Sequence, residues 1–362
     1  MHSIYEDCSK GLTMLLNKYN IDTCSSLSIG NDAHGNLLKI RIDKLTIVSS
    51  FTDKFEMKYI YSKLKKIFNN RHKRYSIFYI KNKEDMPYRS AILIRSKCRR
   101  KPVILRIDYS PINKNTGGIR FDFHPQHLTS KKIDHLISWM NKQLGGLFHQ
   151  LLSRAWITQI DIALDLYSRR LDDYIWGLQG SASAEPYDEP QGLPGIRVGS
   201  KRSKVHILCY EKINLGKDKD SSYHRNSKFI NVNLSQHESF LRIESRYRPN
   251  AKPTSNYGNP LMLSHLNYME NAFNRLQIYS KDLAKELLKK GYVIKIPREP
   301  SINALKKRVL RDMNCSRLPR RVQKIFDSNR VYLFDIDAIW KRWPLYIKQL
   351  SSITDLTTSF TI

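Results

Sequence analysis

The segment WITQIDIALDLY (156–167) alternates with a period of two. Ile160, Ile162 and Leu164 fall on one side, and Gln159, Asp161, Ala163 and Asp165 on the other. That pattern predicts a strand with one apolar and one acidic face. It also sets a condition on the fold. Carboxylates on a central strand are costly to bury unless something compensates them, so cations, metallic or side-chain, must reach Asp161 and Asp165.

A second strand, FLRIESRY (240–247), offers such groups: Arg242, Glu244 and Arg246 share one face, with Leu241 and Ile243 behind. Other alternating or apolar runs predict strands at 39–50, 76–82, 90–96, 102–109 and 119–123, and a hairpin of 195–200 with 204–212 that turns at Lys201–Ser203. Helical spacing appears after Thr52 and Asp53, where Phe55, Tyr59, Ile60, Leu64, Ile67 and Phe68 recur, and again over 129–146, ending near Gly145 and Gly146. Residues 1–36 predict a short helix, Lys10 to Lys18, and a polar loop. The stretches 178–196 and 214–238 read as loops, the second bulging from the surface. From about 261 the periodicity turns helical, through 261–279, 281–291, 302–313 and 319–326 to DIDAIWKRWPLYIKQL. Helices are segregated from strands rather than alternating with them. The expected class is therefore α+β, a mainly antiparallel sheet with helices on one face, followed by a basic helical C-terminal region.

The charge balance narrows the partners. The 62 Lys and Arg against 33 Asp and Glu leave +29, a field suited to a polyphosphate partner, whose counterions such a surface releases. Five cysteines, Cys8, Cys24, Cys98, Cys209 and Cys315, are odd in number and widely spaced with no CxxC. That argues against a disulfide framework or a cysteine zinc site. No apolar run approaches the roughly 20 residues of a membrane span, and no signal pattern opens the chain, so a cytoplasmic, DNA-associated protein is expected. A Walker A sequence and a Rossmann fingerprint are both absent.

Chemistry concentrates on the acidic strand. Asp161 and Asp165 are four residues apart, roughly 13 Å along a strand, so they cannot easily share one ion. If 240–247 lies beside 156–167, Glu244 meets Asp161 over one metal, with Asp165 as a further carboxylate and Arg242 and Arg246 holding phosphates. The same residues equally make cross-strand Asp/Glu–Arg pairs, and the sequence leaves both readings open. His124-Pro-Gln-His127 has ligand-like spacing but no partner Glu or Cys nearby, and reads as a strand end entering a loop. In YEK, Tyr210 and Lys212 share a face, and Lys212 could neutralise a phosphate. Basic clusters at 63–74, 96–101 and 306–324, the hairpin cations Lys201, Arg202 and Lys204, and the tail residues Arg320 and Arg321 are candidate DNA contacts. The 20 tyrosines offer rings for base stacking. The basic segment 302–326 is a candidate duplex-reading unit.

Taken in order, DKLTIV, RIDYSP, IRFDFHPQHL, ITQIDIALDL, GIRVGSKRSKVHILCYEK and FLRIESRYRP resemble the Rep_trans-type replication initiation factors, rolling-circle initiators of plasmids and filamentous phages. The resemblance covers about 39–280. It implies a core at 37–280 that binds origin DNA and nicks it with Mg²⁺ or Mn²⁺, flanked by 1–36 and by the basic region 281–362. A tyrosine hydroxyl would attack phosphorus, leaving a phosphotyrosine link and a primer 3′-OH. Asp161 and Glu244 match the family's acidic positions and Lys212 its Y-x-K lysine. The nucleophile departs from the pattern: Tyr247, Tyr257 and Tyr268 all qualify, and Tyr257, in the turn SNYGNP, is preferred. A host helicase and a homodimer are further partners to expect. The rival readings are an origin-binding initiator or repressor that cuts nothing, a mobilisation relaxase, which should show a His-rich metal motif, and an RNA-binding protein.

Overall fold

The computed structural model describes residues 26–97, 102–113, 116–181, 183–188, 194–214, 239–249, 259–297, 301–350 and 353–354. The expected helix at Lys10 to Lys18 and the expected bulge at 215–238 lie outside them. The chain is α+β, and every strand pair among the described residues is antiparallel.

The chain opens with β1 (Leu27–Asn31) and the long β2 (Leu37–Ser49), then α1 (Lys54–Asn69). Asp53 caps α1 by accepting from the amides of Phe55 and Glu56 at 2.7 and 2.8 Å. A meander follows: β3 (Tyr75–Lys81), β4 (Tyr88–Ser96), β5 (Val103–Pro111) and β6 (Ile119–Phe123). Next come α2 (Ser130–Gln143), α3 (Leu147–Ser153) and β7 (Trp156–Tyr167), then β8 (Tyr174–Leu178), β9 (Ala184–Asp188), β10 (Pro194–Val198), β11 (Val205–Asn214) and β12 (Ser239–Tyr247). The main sheet runs β3-β4-β5-β6-β2-β7-β12-β11-β10-β9, with β1 beside β2. The two strands with the sharpest patterning, β7 and β12, are therefore neighbours at its centre.

Burial explains the sidedness. Ile40, Ile42, Leu45 and Ile47 of β2, Ile160, Ile162 and Leu164 of β7, and Leu241 and Ile243 of β12 join one core with Ile60 and Leu64 of α1, Ile133, Leu136, Ile137 and Met140 of α2, and Phe148 and Leu151 of α3. The alternate residues of the same strands, charged ones among them, point to the other face.

Three stretches differ from the sequence expectation. Residues 261–279 form no α-helix. Leu263–Tyr268 is a 3-10 turn, and Leu276–Ser280 is strand β13, paired with β8 in a small second sheet. The segment is pulled extended against β7, where the Ile157 amide donates to the Leu261 carbonyl at 2.8 Å and Leu263 donates to Ala155 at 2.9 Å. Its Leu and Met side chains enter the core at helical spacing without a helix. The loop expected at 178–196 contains edge strand β9, and the N-terminal loop contains β1. Both are short, and β1 buries only Ile29, so neither shows a strand's alternation of apolar residues.

The described residues of 281–354 fall into two packing units. In the first, α4 (Asp282–Lys289), α5 (Ile302–Asp312) and α6 (Arg320–Ser328) enclose a small core with Ile175 and Tyr279. In the second, α7 (Ile336–Lys341) and α8 (Trp343–Lys348) belong to the main core through Ile339, Trp343, Tyr346 and Ile347. Pro344 at the start of α8 breaks what the periodicity joins into one helix. The Trp343 indole donates to the Leu266 carbonyl at 2.9 Å, and the Tyr346 hydroxyl accepts from the Ile42 amide at 2.8 Å. Cys209 and Cys315 are free thiols. Among the described residues no helix is long and apolar enough to cross a membrane.

The contact from Tyr346 to Ile42 generates a prediction. Tyr346→Phe leaves a buried amide without its acceptor and should cost about 1–3 kcal/mol. Urea unfolding would read this as a lower midpoint at unchanged slope. A midpoint equal to wild type would mean that the amide finds another acceptor.

Candidate nucleic-acid interface

The charged face is built by register. Arg242 stands opposite Asp165, Arg246 opposite Asp161, and Glu244 opposite Ala163. Each aspartate on β7 therefore meets an arginine rather than a second carboxylate. Arg242 donates from Nε to Asp165 Oδ1 at 2.6 Å and from Nη2 to Oδ2 at 3.1 Å, a bidentate pair. On the other flank Arg41 Nε lies 2.5 Å from Asp165 Oδ2, off the hydrogen-bond direction, so that contact is charge on charge. Arg246 bridges two carboxylates, its Nη2 3.0 Å from Asp161 Oδ2 and 2.9 Å from Glu244 Oε1. The Tyr210 hydroxyl donates to Glu244 Oε2 at 2.8 Å, and the Gln159 amide donates to both oxygens of Asp161 at 2.9 and 3.1 Å. Lys212 rests its ammonium 4.4 Å from the Tyr210 ring centre.

A β-bulge in β2 adds a third carboxylate. Pairing passes from Ile42–Ile162 to Lys44–Asp161, and Asp43 is the extra residue. Its Oδ1 is buried, accepts no hydrogen bond, and lies 3.6 Å from Arg242 Nη1. The HPQH motif packs beside it as a 3-10 turn, Pro125–His127, with the His124 and His127 rings stacked 6.2 Å apart and Gln126 accepting from Arg242 at 3.0 Å.

The electrostatics follow from burial and neighbours. Burial pushes the Glu244 carboxyl up to about 8, and the carboxylates of Asp43 and Asp161 add to the rise. Arg246 and the Tyr210 hydroxyl offset only part of it. For Asp165 burial also acts upward, but Arg242 and Arg41 outweigh it and hold the group below the usual carboxylate range. Burial drives His127 down to about 3, and His124 also falls.

Three residues of this site were not singled out from sequence: Arg41, Asp43 and Gln126. Arg41 alternates with Ile40 and Ile42 in a segment expected to be a strand, which is the signal that could have placed it on the charged face. Of the expected residues, Asp161, Asp165, Arg242, Glu244, Arg246 and Lys212 come together. Arg242 is buried and committed to Asp165, so it has no fork left for a phosphate. Lys201, Arg202 and Lys204 are exposed at the hairpin turn. Arg320 and Arg321 are exposed at the start of α6, far along the chain on the helix that contributes Val322, Ile325 and Phe326 to the separate small core, with Arg321 against the Tyr292 ring. Tyr247 lies on the apolar side of β12, 6 % exposed, under the Lys204 ammonium, away from Glu244. Tyr268 is 84 % exposed on the 3-10 turn. Tyr257 lies outside the described residues.

The set does not fit Mg²⁺ or Mn²⁺ as placed. Among the described residues no three His, Cys, Asp or Glu side chains converge to hold a metal ion. Arg246 stands between Asp161 and Glu244 where a cation would sit.

No family model and no curated protein sequence matches this chain. A rolling circle replication initiator protein from Geobacillus stearothermophilus is a structural neighbour, 15% identical over 59% of this chain and 75% of that one, with a TM-score of 0.32. At that score the likeness defines neither fold nor function, which rest on the residues themselves.

The raised Glu244 predicts a pH effect with a definite sign. The folded state holds this proton more tightly than the unfolded chain, so stability falls as pH climbs from about 4.5 to about 8. Glu244→Gln has no such proton and should lose less stability than wild type over that window, by on the order of a few kcal/mol. Urea unfolding at pH 5 and pH 9 compares the two. Parallel losses would mean that Glu244 ionises freely in the fold.

Proposed function

We propose that the chain is a DNA-binding replication initiator of the rolling-circle kind, which holds its origin through the charged face and hairpin end of the main sheet. The observation that carries this reading is the pairing of β7 with β12 and of β12 with β11. It sets the motifs of the resembled family, I-D-x-A-x-D, R-x-E and Y-x-K, side by side on one face. The exposed cations Lys201 and Arg202 lie at the end of that face, while Lys204 turns to Glu270 at 3.6 Å over the Tyr247 ring, and the net charge of +29 supplies the field that draws a polyanion.

A second reading adds nicking through Tyr257 with Mg²⁺ or Mn²⁺. One observation favours it: the bulge at Asp43 brings a third carboxylate, whose buried Oδ1 accepts no hydrogen bond and has only the Arg242 charge at 3.6 Å, within electrostatic reach of Glu244 and Asp161. Against it stands Arg246 between Asp161 and Glu244.

Two measurements test the pair of readings. Fluorescence anisotropy with duplex carrying DNA from beside the gene should show tight binding that weakens steeply with salt, at about 0.9 in log–log slope for each phosphate neutralised. A flat salt dependence would sink the DNA reading. Supercoiled plasmid with that DNA, incubated with Mg²⁺ or Mn²⁺, then separates initiator from nickase. Open circles with protein fixed to the 5′ end, abolished in Tyr257→Phe but not in Tyr247→Phe, establish nicking. Binding without open circles leaves an initiator that only binds.

A further inference from the structure

At the β10–β11 end of the sheet a pocket of about 270 Å³ is lined by Tyr187, Arg197, Lys201, His206, Leu208, Arg246 and Arg248. Two glycines shape it. Gly195 lets the Tyr187 ring lie flat across β10, since a Cβ there would come 2.6 Å from the ring. Gly199, at φ +101°, lets the chain turn tightly past His206, whose Cβ would be 3.0 Å from an added Cβ.

The cations around this pocket are unequally committed. Arg246 is bound to Asp161 and Glu244, and Arg197 to Glu185. Arg248 is oriented instead by neutral oxygens, donating to Gln159 Oε1 at 3.0 Å and to the Lys201 carbonyl at 2.8 Å. Among the described residues neither Arg248 nor Lys201 pairs with a carboxylate. A guanidinium held in place by neutral groups, beside a second cation, keeps its charge available for an incoming anion. Below them His206 is 1 % exposed, and its Nδ1 has no hydrogen-bond partner. A buried ring nitrogen without a partner is uncommon in a packed interior, and this one borders the pocket.

We propose that this pocket seats one phosphate group of a DNA strand, gripped by Arg248 and Lys201 at the rim, with His206 beneath and the Tyr187 ring as a flat wall for the attached sugar. Burial first, and then Arg246, Arg248, Arg197 and Lys201, hold the imidazole down to about 4. The ring is therefore neutral and still has one N–H to give. The field that keeps a proton off His206 is the field that attracts a phosphate. This seat rests on the reading that the protein binds DNA, and it names a place where a strand is held.

The test uses the full chain, with labelled duplex and single-stranded DNA in anisotropy titrations across salt. Wild type is compared with Arg248→Gln and Lys201→Gln. Each substitution should weaken binding several-fold and lower the log–log salt slope by about 0.9 on duplex or about 0.7 on single strands. Lys201 is exposed, so its variant keeps the test decisive if Arg248→Gln fails to fold. Inorganic phosphate is added separately while the His206 ring signals are followed by NMR, and they should move in wild type and not in Arg248→Gln. Wild-type DNA binding with full slopes in both variants overturns the seat and leaves the DNA reading standing. A phosphate-induced His206 shift in a protein that binds no DNA overturns both, in favour of a small-anion site.

Discussion

Asp165 is fully buried at the centre of the sheet, and its charge is met from both neighbouring strands, by Arg41 on β2 and by Arg242 on β12. A buried carboxylate with one partner removed is an uncompensated charge, costly by about 3–5 kcal/mol. The pairing therefore does more than stabilise. A shift of either neighbour by one residue would turn its arginine to the apolar side and leave Asp165 with one cation in place of two, so the clamp specifies register across three strands. Once that register is set, Arg246 must fall opposite Asp161, and Glu244 must fall between the two ion pairs beside Tyr210.

The bulge at Asp43 ties this charged face to the far end of the chain. The Ile42 amide that precedes the extra residue is taken up by the Tyr346 hydroxyl of α8. The last helices are thus a support for the central sheet, although their basic neighbours suggest a detachable DNA-binding tail. The cations of α5 and α6 sit on the separate small core, so the C-terminal region combines a structural strap with an exposed basic unit.

The central strands were legible because one side of each is mainly apolar and the other mainly polar. Asp161, Glu244 and the Arg–Asp alternatives could be named from that alone, and the structure puts the arginines, not a second carboxylate, opposite the β7 aspartates. The register that decides between these readings is not written in either strand by itself. Asp43 was not legible because a bulge depends on the partner strand. Gln126 was hidden inside HPQH, where the histidines draw the eye and the glutamine makes the contact with Arg242. The stretch 261–279 misled for a different reason. Its Leu, Met and Phe residues recur at helical spacing, but β7 and β8 provide backbone partners that hold it extended, and tertiary pairing overrides local periodicity.

What unites these features is a sheet with its apolar side closed by helices and a charged side whose inner cations are neutralised by carboxylates, leaving Arg248 and Lys201 at the hairpin end for a polyanion. The most direct measurement is lysine modification read by mass spectrometry, with and without saturating DNA. This account predicts that Lys201 becomes protected while exposed lysines of α1, on the opposite side of the sheet, react as before. Equal modification of Lys201 in the bound and free protein would contradict binding at this end of the sheet.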